Sequence, residues 1–273
     1  MKYMHIIGMP TKAEIFFEAI VDQNVALVED MLSRHSINVN KPLKTRHISI
    51  LPLSLAARDA DETKQEASLR IFDLLLEAGA DVNGIDKGSS GPLYHAVAKS
   101  PPLGFELARR LLQAGADPNI QPDKLIQTPL LKALNVVSTE SIGVVLLLLA
   151  YGADPTITGG ISHESPIMLA EQLESSDLID ALKMPVEHYD RFKSIILRAV
   201  RNRNLTEDQA LLLQEIFNAH FRRWHAVAAF AAAENAKSRP TGKGTSRRSK
   251  TKKSSAAAAG AGASRRNSRR AQH

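Results

Sequence analysis

Apolar residues recur at spacings of three and four in three segments that close on one signature: LLLEAGADVN at residues 74–83, LLQAGADPN at 111–119 and LLLLAYGADPT at 146–156. That period predicts a helix in each. Gly79, Gly115 and Gly152, spaced 36 and 37 apart, stand just past the predicted ends, where a left-handed residue closes a helix without steric cost. The Asp and Asn that follow can hydrogen-bond their own backbone, so each Gly-Ala-Asp run predicts a turn. Upstream of each lies a second matched element: LPLSLAA at 51–57, GPLYHAV at 91–97 and TPLLKAL at 128–134. Pro52, Pro92 and Pro129 suit the opening position of a helix, where the missing amide has no partner to lose. Each unit is therefore predicted to be two short helices and a turn.

From Pro185 the pattern changes. Phe192, Ile195, Ile196, Ala199 and Val200 fall at helical spacing against Arg191, Lys193, Arg198, Arg201 and Arg203. Thr206 and Gln209 then form a candidate capping box, followed by Leu212, Leu213, Ile216, Phe217, Phe221, Trp224 and Val227 at threes and fours. Two amphipathic helices are predicted over residues 185–236. One reading is that they cover the apolar end of the array; the other, resting on Arg222, Arg223 and Trp224, is a partner-binding element, because Trp and Arg are enriched at interface anchors.

A period in the thirties with paired helices resembles the ankyrin repeat, whose pattern includes T-P-L-H-x-A and a closing L-L-x-x-G-A-D-V-N. The resemblance spans residues 13–184: three clear units, a diverged first one at 19–40 and a final one opening at SPIMLAEQL, 165–173. It departs from the pattern where Ser54, Tyr94, Leu131 and Met168 replace the histidine, and where RDADETKQEAS, AKSPPLGF and NVVSTES add residues between the paired helices. Those insertions should project from one edge. The implied fold is an all-α ankyrin-repeat solenoid of four to five helix-turn-helix units, with a C-terminal helical cap at 185–236.

The resemblance also implies a function: an adaptor or scaffold that binds a protein partner on a concave surface made of turn tips and first helices, without catalysis. The corresponding positions are the tips at 44–49, 86–90, 123–127 and 157–164 and points on the first helices, among them Arg46 and His47, Arg58, Lys87, Lys99, Lys124 and Asn135; the tips mix these basic residues with acidic ones such as Asp86, Asp123 and Glu164. A histidine inside a first helix, His95, is expected to be packed or partly exposed and not catalytic.

Charge adds a third region. Twelve of the 35 basic residues and none of the 29 acidic ones lie in 237–273, so this tail is +12 and the residues before it −6. With no aromatic or branched aliphatic residue it has too little to bury, and disorder is expected. The clusters Arg247, Arg248, Lys250, Lys252, Lys253 and Arg265, Arg266, Arg269, Arg270 have the density of nuclear-import signals and of polyanion-binding arms. An arm without aromatics would bind nucleic acid weakly, non-specifically and in a salt-sensitive way. The alternative function is thus a nucleus-targeted or nucleic-acid-associated regulator, with delivery into a host cell by a bacterium a variant of it.

Other classes are less favoured. There is no cysteine, which excludes disulfide scaffolds, thiol nucleophiles and Cys-ligated metal. The nine histidines form no H-E-x-x-H spacing, His220 and His225 point to different helix faces, and the glycine runs near 242 and 260 follow no strand. No cofactor is expected. The charge-free stretch at 141–153 has 13 residues, short of the roughly 20 that span a bilayer, and the N-terminal ten residues lack an apolar signal core. A soluble intracellular monomer, in cytoplasm or nucleus, is the expectation.

Overall fold

Eleven α-helices, α1 to α11, arranged mostly as consecutive pairs, dominate the described part of the computed structural model. It describes residues 10–44, 48–88, 90–123, 125–136, 142–161, 163–183 and 189–219. The chain divides into two compact units, Met1–Ala229 and Phe230–His273, and all described residues belong to the first. The Arg222, Arg223, Trp224 cluster and the basic clusters of the tail lie outside the described residues.

The pairs are α1 (Lys12–Val21) with α2 (Val25–Ser33), α3 (Pro52–Arg58) with α4 (Gln65–Glu77), α5 (Pro92–Ala96) with α6 (Leu103–Gln113), α7 (Pro129–Asn135) with α8 (Ile142–Ala150), and α9 (Pro166–Gln172) with α10 (Ser176–Leu182). The members of each pair touch. First helices pack on first helices in the order α1, α3, α5, α7, α9, and second helices on second helices in the order α2, α4, α6, α8, α10. A helix of five to thirteen residues is marginal by itself in water, so these persist by sharing one core between neighbours. Phe16, Phe72, Phe105 and Phe192 are among its largest fully buried members.

Local chemistry sets the ends. Pro52, Pro92, Pro129 and Pro166 each occupy the first turn of their helices. Thr128 and Ser165 also cap theirs, accepting from Leu131 N at 3.3 Å and Met168 N at 3.2 Å. Gly79, Gly115 and Gly152 hold φ of 79°, 91° and 89°, a conformation that would strain a side chain. In the first pair His35 takes the equivalent left-handed turn, at φ 48°.

Three features differ from the sequence reading. The first unit opens earlier than residue 19: Thr11 and Glu14 form a complete capping box that starts α1. A short antiparallel hairpin, β1 (Leu43–Lys44) and β2 (Ser49–Ile50), rises before α3. The closing asparagines reach the next unit instead of their own backbone. Asn40 Nδ2 donates to Gly79 O at 3.0 Å while its Oδ1 accepts from Asp81 N at 2.8 Å; Asn83 repeats this on Gly115 and Asp117, and Asn119 on Gly152 and Asp154. The aspartates do turn on themselves, as in Asn83 N to Asp81 Oδ1 at 2.9 Å. The ladder stops at Thr156, which among the described residues bonds only Asp154 of its own turn. No Gly-Ala-Asp turn follows it in the sequence.

Beyond α10, α11 (Tyr189–Arg201) packs on α10. Arg198 joins them, with Nη2 3.1 Å from Asp180 Oδ2 and Nε 3.2 Å from Asp177 Oδ1. Helical backbone resumes over 207–219, opened by the reciprocal Thr206–Gln209 bonds of 3.0 and 3.2 Å. Phe217 stacks on Phe192, ring centroids 4.0 Å apart. Leu205 presses on α8: a Cβ added to Gly143 would lie 2.8 Å from Leu205 Cδ2. Phe217 lines a cleft with Leu149 and Pro155 just past the other end of α8. The segment therefore runs along the back of α8 as well as closing on α10.

Candidate partner-binding surface

Four connections precede the first helices of units two to five. They are the β1–β2 hairpin, the turn at 84–91, the loop at 120–127 and the loop at 157–164. Neighbouring tips are tied together. Gln121 Nε2 donates to Ile126 O at 2.9 Å and across to Thr158 O at 3.0 Å. Gly159, backed against Gln121 and Ile126, has no room for a side chain.

Between the hairpin and the 84–91 turn lies an open groove of ≈ 610 Å³, lined among others by Lys44, Ser49, Arg58, Asp86, Lys87 and His95. Asp86 is the buried member of this set. The Asp86 N–H donates to Ser90 O at 2.9 Å, closing the turn. Its Oδ1 accepts from Leu51 N at 2.6 Å, binding the 84–91 turn to the start of α3, where Leu51 has no polar side chain of its own. The Asp86 side chain is only 6% exposed, and its Oδ2 has no hydrogen-bond partner among the described residues. His95 Nε2 stands 3.7 Å from that oxygen, beyond hydrogen-bonding distance. The Ser49 hydroxyl, also buried in this wall, has no hydrogen-bond partner either.

Arg58 is held in a two-point grip by Asp59, Nε to Oδ1 at 2.8 Å and Nη2 to Oδ2 at 2.9 Å. Those bonds, with the charges of Asp59 and Asp86 behind them, push its pKa above the ordinary arginine value despite partial desolvation. Further along, Lys132 stands over the Tyr94 ring at 5.3 Å, a cation–π arrangement, and burial raises the Tyr94 phenol pKa.

The sequence candidates separate on this map. Arg58 and Lys87 meet at one groove, with Lys87 exposed. Lys99 is spent on structure, donating from Nζ to Ala60 O at 2.9 Å; with Ser100 N to Glu62 Oε1 at 3.3 Å, it ties the first two insertions together along one edge. Asn135 is exposed at the end of α7, far along the stack from the groove. Arg46, His47 and Lys124, and residues 137–141 of the third insertion, lie outside the described residues. Ser49 and Asp86 fall within the tips expected on the binding surface, but no spacing signals that a carboxylate in a polar turn folds inward, and His95 is expected only as a packed or partly exposed histidine.

The opposite face of the stack is satisfied from within. Arg70 pairs with Glu29 across α4 and α2, and Arg110 with Asp73 across α6 and α4. Among the described residues no three His, Asp or Glu side chains gather as a metal site, and no helix is long and apolar enough to cross a membrane.

No family model matches the chain. Over 124 residues, 45% of this chain and 74% of the relative, it is 27% identical to a protein of Acanthamoeba polyphaga mimivirus whose name is that of an ankyrin repeat protein.

Proposed function

We propose that this chain is an ankyrin-type scaffold: residues 13–184 form an array of five helix pairs, 185–236 its cover, and the first-helix face with its turn tips binds a partner protein without catalysis. The observation that carries the reading is the repeated pairing itself, with two layers of helices and a ladder of Asn40, Asn83 and Asn119 setting the spacing between units. Such a stack offers a long surface, and its chemistry lies in exposed tips instead of an enclosed pocket with a nucleophile and base. The name of the viral relative supports the same reading.

The faces differ in what they leave open. On the second-helix side, arginines and carboxylates pair with one another between units. On the first-helix side, Lys44 and Lys87 stand exposed around an open groove.

The test is capture of partners by the tagged full chain, compared with two variants that keep the helical circular dichroism signal. Lys44→Glu/Lys87→Glu/Lys132→Glu should lose a captured protein that Glu29→Lys/Glu77→Lys retains. Equal capture by both variants would remove the first-helix face as the binding surface.

A further inference from the structure

An apolar cleft of ≈ 300 Å³ opens where the C-terminal cover meets the end of α8. Leu149 and Pro155 wall it on the α8 side, Leu182 comes from α10 and Phe192 from α11, and Phe217 lies opposite; Asp154 is the charged residue among them. Apolar walls left against water are unfavourable in proportion to their area, so the cleft calls for an apolar occupant.

Three observations point to what that occupant is. The first is direction. Leu205 meets Gly143 near the start of α8, and Phe217 reaches the cleft just past its end, so the chain runs along α8 toward the turn at 152–155. Residues 220–229 follow directly and belong to the same compact unit. The second is register. Ala210, Leu213 and Phe217 form the buried stripe of the helical backbone over 207–219. At 3.6 residues per turn the same spacing passes next through Phe221 and Trp224, four and seven residues after Phe217, and these are the residue types that bury most apolar area. The third is charge. Hydrogen bonds from Thr156 hold the Asp154 pKa below the ordinary carboxylate value, so the cleft carries a negative charge, and Arg222 and Arg223 stand between the two aromatic residues in sequence.

We propose that Phe221 and Trp224 of this same chain fill the cleft between the end of α8, α10 and α11. The aromatic pair then completes the cover instead of anchoring a partner. It also backs the turn at 152–155, beyond which the asparagine ladder has no further rung.

This inference rests on the reading of 185–236 as the cover of the array, and the test keeps the two apart. Trp224 is the only tryptophan of a chain without cysteine, so its fluorescence reports one site and one introduced thiol carries one label. In the folded full chain its emission should be blue-shifted, and acrylamide should quench it at least about fivefold less readily than in the urea-unfolded chain. A nitroxide on Thr156→Cys, exposed beside the cleft, should quench most of this emission, and the same label on Glu77→Cys, two units away, should leave it unchanged. Trp224 as accessible as in the unfolded chain, or protected yet untouched by the label on Thr156→Cys, overturns the proposal. Quenching that appears on mixing unlabelled chain with labelled Thr156→Cys/Trp224→Phe chain assigns the cleft to a second copy and overturns it as well. If Trp224 fails these tests while Phe192→Ala still destabilises the chain, the cleft assignment falls and the cover stands.

Discussion

Helices α6 and α8 occupy the same place in successive units, yet their outward stripes have opposite character. Superposing Gly115 on Gly152 sets Glu106, Arg110 and Gln113 of α6 against Gly143, Leu147 and Ala150 of α8. In α6 the stripe is wet: Arg109 Nη2 and Arg110 Nη1 lie 2.8 and 2.7 Å from Glu106 Oε2, and Arg110 reaches Asp73 of α4. In α8 every residue but Leu149 is buried. A helix that is apolar all round is a buried helix. What buries the back of α8 is the segment beginning at Leu205, which enters where Gly143 has no side chain. The lesson is that the C-terminal helices do two tasks. They close the end of the stack at α10, and they extend over the second-helix layer, so this layer has no open apolar face in the fourth unit while the first-helix layer keeps its tips exposed.

The comparison can be broken most severely at the cover. Phe192 is fully buried and stacked on Phe217, so Phe192→Ala should cost about 3–5 kcal/mol in urea unfolding of the full chain. Next comes α8 itself: Leu147→Ala should lose about 2–5 kcal/mol, whereas Arg109→Ala at the neighbouring charged stripe should lose no more than about 1, because a partly exposed ion pair is screened by water. A denaturation series giving the two equal effects would erase the distinction between the helices.

A smaller effect tests what joins the two units. Asn119→Ala deletes both side-chain bonds that Asn119 makes to the turn after α8 and should cost about 1–2 kcal/mol; Thr156→Ala, which cuts only the hydroxyl bond to Asp154 within its own turn, should cost less than half as much.

The smallest effect is a pH dependence carried by α6. Burial alone would raise the Glu106 pKa, but hydrogen bonds and charge from Arg109 and Arg110 outweigh it and hold the carboxyl below its ordinary value of 4.5. A lowered folded-state pKa means that Glu106 stabilises fully above about pH 4.5 and progressively less as pH falls through the lower folded value. Glu106→Gln should therefore flatten the acid limb of stability against pH. A substitution in α8, such as Val145→Ala, should shift the whole curve without changing that limb.

Much of this was legible in the residues. Pro52, Pro92 and Pro129 open helices and Gly79, Gly115 and Gly152 close them because each acts through its own backbone restriction, a local property. The Thr206–Gln209 box is local too. The asparagine ladder was not readable, since the same side chain can satisfy its own turn or a neighbour's, and only the distance between units decides. The run Ile142–Ala150 did carry a signal: an outward stripe with no charge where the preceding unit has Glu106 and Arg110. That contrast, and not the length of the apolar run, is what marks a covered helix. The tips that wall the groove were on the expected binding surface, but their meeting at one groove and the inward turn of Asp86 were not readable, because the walls come from different units and a carboxylate in a polar turn carries no sign of facing inward.

The absence of cysteine makes the deciding measurement simple, since a single introduced thiol has no competitor. Gln113→Cys and Ala150→Cys place it at equivalent points on α6 and α8, the first exposed and the second 2% exposed. In the folded full chain a maleimide should modify the thiol of Gln113→Cys at close to the rate of the urea-unfolded chain and that of Ala150→Cys at least about a hundredfold more slowly, the protection expected when labelling requires local opening. Comparable rates at the two positions would mean that nothing covers α8, and would contradict a fourth unit covered on its second-helix side beside a third that is open there.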